Sequence, residues 1–201
     1  VTFGTPHGTI DRDAFARNGG DRAKFEVPGQ RFARADGPGG GFALMTTASY
    51  GWSARGLKDG GIHLGLSLLR GPVWPDPNAD RGEHRFEWAL MPLDGNVGIG
   101  GLERVWREYA YPARVRLFTC EDPAVLVVAC KPADDGDGIV VRVRECDGAE
   151  RRIRLAFGGR AREIESCDAR ERRIEREAAL EEHAIVARLQ PYELRSFRVR
   201  L

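Results

Sequence analysis

Three runs in the second half of the chain leave little choice of backbone. Ile153, Leu155 and Phe157 alternate with Arg152, Arg154 and Ala156, and Phe197, Val199 and Leu201 alternate with Arg198 and Arg200. Ile139, Val141 and Val143, interleaved with Arg142 and Arg144, repeat the scheme, and Ile185, Ala187 and Leu189 extend it. Side chains on a strand point to opposite faces in turn, so each run presents one apolar face and one arginine face for solvent. Between the runs lie turn clusters, Asp134-Asp135-Gly136-Asp137-Gly138 and Asp147-Gly148. Short strands broken at this spacing read as antiparallel sheets stacked in a sandwich.

The first half is less regular and richer in glycine. Candidate strands are residues 24–27, 41–47, 62–70 and 84–91. The run from Ile62 to Leu69 alternates at first and then becomes apolar on both faces, which predicts a central strand of a large sheet. Leu102, Val105, Trp106 and Tyr109 follow the spacing of one helix face, with Glu103, Arg104, Arg107 and Glu108 elsewhere, and Pro112 stops that helix. Residues 171–182 are charged and helix-prone but lie between strands, where a hairpin turn fits equally well. The expected architecture is all-β: a large antiparallel β-sandwich over residues 1–115, then a smaller one over 116–201, with one short helix between.

Charge and cysteine usage exclude several classes of function. Basic residues number 31 against 30 acidic ones, a formal charge of +1, so the excess of a nucleic-acid surface is missing. No run approaches the roughly 20 apolar residues of a membrane helix. The first residues lack the apolar core of a secretory signal, and the chain begins at Val1, as a processed product or an excised piece does. Cys120, Cys130, Cys146 and Cys167 contain no Cys-x-x-Cys pair and have no histidine nearby, which argues against a zinc site. Buried reduced thiols in a cytoplasmic protein are the expectation, with a disulfide between neighbouring strands as the alternative.

Sequence motifs for chemistry are sparse. Gly37-Pro38-Gly39-Gly40-Gly41 precedes a strand rather than a helix, so it reads as a hairpin loop and not a phosphate cradle. No serine sits in a Gly-x-Ser-x-Gly elbow, and His7, His63, His84 and His183 are scattered. The densest polar constellation runs from Arg70 through Trp74, Asp76, Asp80, Arg81, Glu83 and His84 to Glu87. Three readings stand open for it. Asp76, Asp80 and Glu83 are suited to a hard cation such as calcium. A carboxylate pair beside the Trp74 indole suits a sugar. Alternatively, the acids cap turns and pair with Arg70 or Arg81 while Trp74 is buried.

The same region carries a family resemblance. Leu66-Ser67-Leu68-Leu69-Arg70-Gly71-Pro72, then Pro75-Asp76-Pro77, Asp80, Gly82, His84, Phe86 and Leu90-Met91-Pro92, resembles the signature of the family 38 glycoside hydrolases, the α-mannosidases. The cytosolic and bacterial type is the nearest in pattern. Pro6-His7-Gly8-Thr9-Ile10 with Arg12, Lys24-Phe25-Glu26-Val27 and Ala48-Ser49-Tyr50-Gly51 resemble segments upstream of it. Ala124-Val125-Leu126 and Leu189-Gln190-Pro191-Tyr192-Glu193 resemble the closing small sandwich. Three departures stand out: Ser49 where the family has lysine, Arg12-Asp13-Ala14-Phe15 for Arg-Pro-Thr-His, and Leu93 for a histidine.

The resemblance implies a retaining glycosidase whose two carboxyls stand about 5 Å apart, helped by a zinc ion. In the family these groups come from an N-terminal α/β barrel, so no catalytic residue and no metal ligand is placed on this chain. What it does imply is a non-catalytic β region packing on that barrel, with mannose-containing glycans as the parent's ligands and self-association of the isolated piece left open. If a loop rims the sugar pocket, residues 70–84 are the choice, with Arg70 and Asp80 as hydroxyl partners and Tyr50 as neighbour. Asp80 and His84 have a second reading, tying the loop to the strand that follows. An autonomous carbohydrate-binding module is the alternative function.

Overall fold

The computed structural model describes residues 1–112 and 117–200. Its strands fall into two units, Val1–Asn96 and Val97–Leu201. The boundary expected at 115/116 lies outside the described residues. The expected helix belongs to the second unit, because two of its arginines bond to strand carbonyls there.

In the first unit the elements are β1 (Thr2–Thr5), β2 (Gly8–Asp11), α1 (Gly19–Ala23), β3 (Val27–Pro28), β4 (Phe32–Gly37), β5 (Gly40–Thr46), β6 (Gly51–Gly56), β7 (Ile62–Ser67) and β8 (Trp88–Leu93). They form a five-stranded antiparallel sheet, β2-β1-β4-β5-β8, and a three-stranded one, β3-β6-β7. Phe3, Ala33 and Trp52 join the two sheets, with Leu44, Leu64 and Leu66 packed around them. The Trp52 ring meets Phe3 edge-on at 6.4 Å. Gly29 allows this, since a Cβ there would stand 2.7 Å from the indole. The glycine run is the two-residue hairpin between β4 and β5, as its context predicts.

Three expectations change in this unit. β7 is an edge strand rather than a central one, paired only with β6. Leu68 and Leu69, which made it look doubly buried, have already left the strand and are exposed. Of residues 24–27 only Val27 pairs, because Asn18 caps α1 and Lys24 closes it. The strand expected over 84–91 begins at Trp88.

The second unit contains α2 (Ile99–Ala110), β9 (Phe118–Cys120), β10 (Val125–Pro132), β11 (Ile139–Glu145), β12 (Arg151–Phe157), β13 (Glu163–Cys167), β14 (Ala178–Glu181), β15 (Ala184–Leu189) and β16 (Leu194–Arg200). Two four-stranded antiparallel sheets, β10-β11-β16-β13 and β14-β15-β12-β9, stack over one core. Val141, Val143, Ile153, Leu155, Ile185, Leu189, Phe197 and Val199 fill that core, the apolar halves of the alternating runs. Residues 178–181 are strand β14, so the hairpin reading of the 171–182 stretch is the right one. Arg104 and Arg107 of α2 donate to the carbonyls of Asp122 at 3.0 Å and Val127 at 3.0 Å. The helix buries Leu102 of its apolar face and leaves Trp106 and Tyr109 half-buried, but the inward side is rotated from what the spacing predicts. Glu103 is buried, 3.0 Å from the equally buried Arg144, and Val105 is exposed.

The four cysteines are free; three are buried and Cys130 is exposed. Burial pushes the thiols of Cys120, Cys146 and Cys167 up, favouring the unreactive protonated form. A maleimide on the native protein should therefore modify Cys130 alone, and all four cysteines after denaturation. Intact-mass spectrometry reads the count; a second native adduct would contradict the burial. Among the described residues no helix is long and apolar enough to cross a membrane.

Candidate functional site

Between Ser67 and Trp88 the chain runs through residues 68–87 with neither helix nor strand. Loops of this length inside a compact domain are functional or disordered. This one is tied down at several points. The Glu26 carboxylate accepts the Ser67 hydroxyl at 2.7 Å on one oxygen and the Arg70 guanidinium at 2.9 Å on the other. Asp80 accepts the Gly71 amide at 3.1 Å and so closes a smaller ring within the loop. The Asp80 carbonyl meets His84 Nε2 at 2.8 Å, and the His84 ring stacks on Phe86. Asp80 holds a left-handed backbone, φ 58°, which aspartate tolerates better than most residues.

The residues singled out in the sequence thus fall into two groups. Arg70 is held by Glu26, and Gly51 lies against the same carboxylate, where a Cβ would stand 3.0 Å away, whereas the side chain of neighbouring Tyr50 is exposed. Asp80 and His84 hold each other and the loop. Asp76 caps its own turn, accepting the Asn78 amide at 2.8 Å. No group of three His, Cys, Asp or Glu that could hold a metal ion occurs among the described residues, so Asp76, Asp80 and Glu83 do not converge as a calcium site would need.

Trp74 is the main surprise. It is 84% exposed, with Val73 beside it at 77%, whereas the turn-capping reading had it buried. Leu68, Leu69, Trp88 and Leu90 on the same loop and the strand after it are exposed too. An apolar group of this size on one segment marks an interaction surface more than random exposure does. An indole held out by a pinned loop can stack on the C–H face of a sugar or insert into a neighbouring protein surface. Glu26 was not singled out as a site residue. Its partners lie 41 and 44 residues away, and no local pattern announces such a contact.

Comparison with known proteins bears on this geometry. The model of the glycosyl hydrolases family 38 C-terminal domain matches residues 1–78, and that of the family 38 C-terminal beta sandwich domain matches residues 124–197. Alpha-mannosidase 2C1 of Homo sapiens is 30% identical over 187 residues, which is 86% of this chain and 18% of that protein. Alpha-mannosidase of Saccharomyces cerevisiae is 27% identical over 232 residues, covering 99% of this chain and 21% of that protein. The chain therefore spans about a fifth of these curated relatives. A crystal structure of an alpha-mannosidase from Enterococcus faecalis shares the fold, with a TM-score of 0.71 at 17% identity over 98% of this chain and 24% of that one.

Proposed function

Because the chain belongs to the C-terminal region of the family 38 glycosyl hydrolases, we propose that it is the non-catalytic β part of an α-mannosidase. The chemistry belongs to an N-terminal catalytic domain, where the family resemblance expects the zinc ion. The loop over residues 68–87 rims that domain's sugar pocket, and mannose-containing glycans are the parent's substrates. The observation that carries this reading is the pinned loop with Trp74 held out to solvent. Arg70, Asp80 and His84 are used in holding the loop, and its apolar side chains face solvent, free for a partner. Free thiols support a cytoplasmic setting.

Purified 1–201 supplemented with zinc should leave nitrophenyl α-mannoside intact, and detectable turnover would overturn the non-catalytic role. In an enzyme that carries this region, Trp74→Ala should lower kcat/KM about tenfold, close to 1.4 kcal/mol, with the melting temperature unchanged. Asp80→Ala should do the reverse, lowering the melting temperature with little change in kcat/KM. The exposed indole also favours a second reading, an autonomous carbohydrate-binding module. Calorimetry of 1–201 with mannose separates the two, since only the module would show saturable, Trp74-dependent heat.

A further inference from the structure

A cavity of about 990 Å³ in the first unit lies apart from that loop, between the segment around α1 and strands β6 and β7. Small-ligand sites span roughly 300–1,000 Å³. Its lining combines two kinds of group that seldom meet without a ligand. The first is guanidinium: Arg12, Arg22 and Arg55 all line it, and none has an ion pair among the described residues. Arg12 lies 5.1 Å over the Phe3 ring, and its Nη1 is buried with no hydrogen-bond acceptor among those residues. A buried charged donor left without an acceptor is costly, and native structures rarely keep one without a reason. The second is aromatic. Phe15 lies against Gly56, where a Cβ would stand 2.2 Å from its ring, and Phe25 is 72% exposed at the rim.

The carboxylates in the lining do not neutralise these arginines. Asp13 is taken by Arg17 at 2.6 Å, and Asp21 by the Arg17 amide at 3.0 Å and by Lys24. Asp11 accepts the Thr2 hydroxyl at 2.5 Å, on the face of the strand opposite Arg12. Unpaired guanidiniums select a fork-shaped oxyanion, and aromatic rims select a ring with C–H faces. We infer that this cavity binds a phosphorylated sugar, its phosphate on Arg12 and Arg55 and its ring on Phe25.

Calorimetry on 1–201 in 150 mM salt tests this with mannose 6-phosphate, inorganic phosphate and mannose. Mannose 6-phosphate should bind saturably, inorganic phosphate more weakly, and mannose not at this site. Arg12→Gln should weaken mannose 6-phosphate about tenfold. Phe25→Ala should weaken it while leaving inorganic phosphate unchanged, and Arg55→Gln should weaken both. Should Arg12→Gln fail to fold, the exposed Phe25 and the Arg55 variant carry the test. Absence of saturable binding by mannose 6-phosphate, or binding indifferent to Arg55→Gln and Phe25→Ala, overturns the site. Mannose binding that depends on Trp74 would instead favour the carbohydrate-binding module over the α-mannosidase β part proposed above and leave this site standing.

Discussion

Glu145→Ala is expected to destabilise the second unit by about 3–5 kcal/mol, since it strips a buried carboxylate from several donors at once. Glu145 ends β11 with its side chain fully buried. It accepts the Asp147 amide at 2.9 Å, the Gly148 amide at 2.8 Å and the Tyr192 amide at 2.8 Å, with Arg151 at 3.5 Å. One carboxylate thus clamps the turn between β11 and β12 to the turn before β16. Those turns press together closely: a Cβ on Gly148 would stand 2.5 Å from the Tyr192 hydroxyl. Gln keeps one oxygen acceptor but turns an amide donor toward an amide, so Glu145→Gln should fall between alanine and wild type. The effect has a pH signature. Burial pushes the carboxyl up, but the amides of Tyr192, Asp147 and Gly148 outweigh it and hold the group below the usual glutamate range. A depressed folded pKa stabilises above the unfolded value, about 4.3 for glutamate, and that stability is lost as pH falls through the folded pKa. Urea denaturation should show the gap between wild type and Glu145→Gln widest near neutrality and closing below that value. A gap constant down to pH 3 would mean the amides do not stabilise the ionised form.

Where the sequence was legible, one physical signal dominated. Period-two alternation placed β11, β12, β15 and β16 because each core residue there, such as Leu155 or Phe197, sits on a face fixed by the pleat, whereas β13 and β14 carry no such run. The arginine faces were harder to read. Arg152 and Arg154 of β12 face solvent as alternation predicts, but Arg198 of β16 is buried, and so is Arg195, which shares the face of Phe197 and lies 5.0 Å over its ring. β16 is flanked by β11 and β13, and its outward side is covered as well. Arg198 meets Asp135 at 2.6 Å and Glu171 at 3.7 Å, while Arg195 bonds to the Arg188 and Glu177 carbonyls. Periodicity says which residues share a face, but not whether another segment covers that face. The helix was legible, but the rotation of its inward side was not, for a related reason. Glu103 could be read as inward only by knowing that Arg144, 41 residues later, waits for it.

The site was legible as a region and not as a geometry. The stretch from Arg70 to His84 is conspicuous in sequence, and in the structure it is a loop held by its own side chains. Its fastening to Glu26 depends on β3 and β7 both pairing β6, a relation that local pattern does not encode. Trp74 illustrates the converse. A lone indole is by composition a core residue, yet here it is exposed on a loop fastened by Asp80 to Gly71 and Arg70 to Glu26.

That dependence of the loop on the small sheet gives the second large effect. Trp52→Ala should cost the first unit about 3–5 kcal/mol, the usual range for a fully buried aromatic cut to alanine. Trp52 is 0% exposed, pairs with Val27 of β3 on one side and Leu66 of β7 on the other, and packs on Phe3. The residue before Val27 is Glu26 and the one after Leu66 is Ser67, so the loop's main anchor hangs on the strands that Trp52 centres. Losing the indole should therefore loosen the loop as well as the core. Amide hydrogen exchange ought to show faster exchange at Gly71, whose amide is closed by Asp80, in Trp52→Ala than in wild type under native conditions. Trp52→Phe, which keeps an aromatic against Phe3, should restore part of both. A variant that loses stability while Gly71 keeps its protection would separate the loop from the sheet, and the loop would then owe its shape to its internal ties alone.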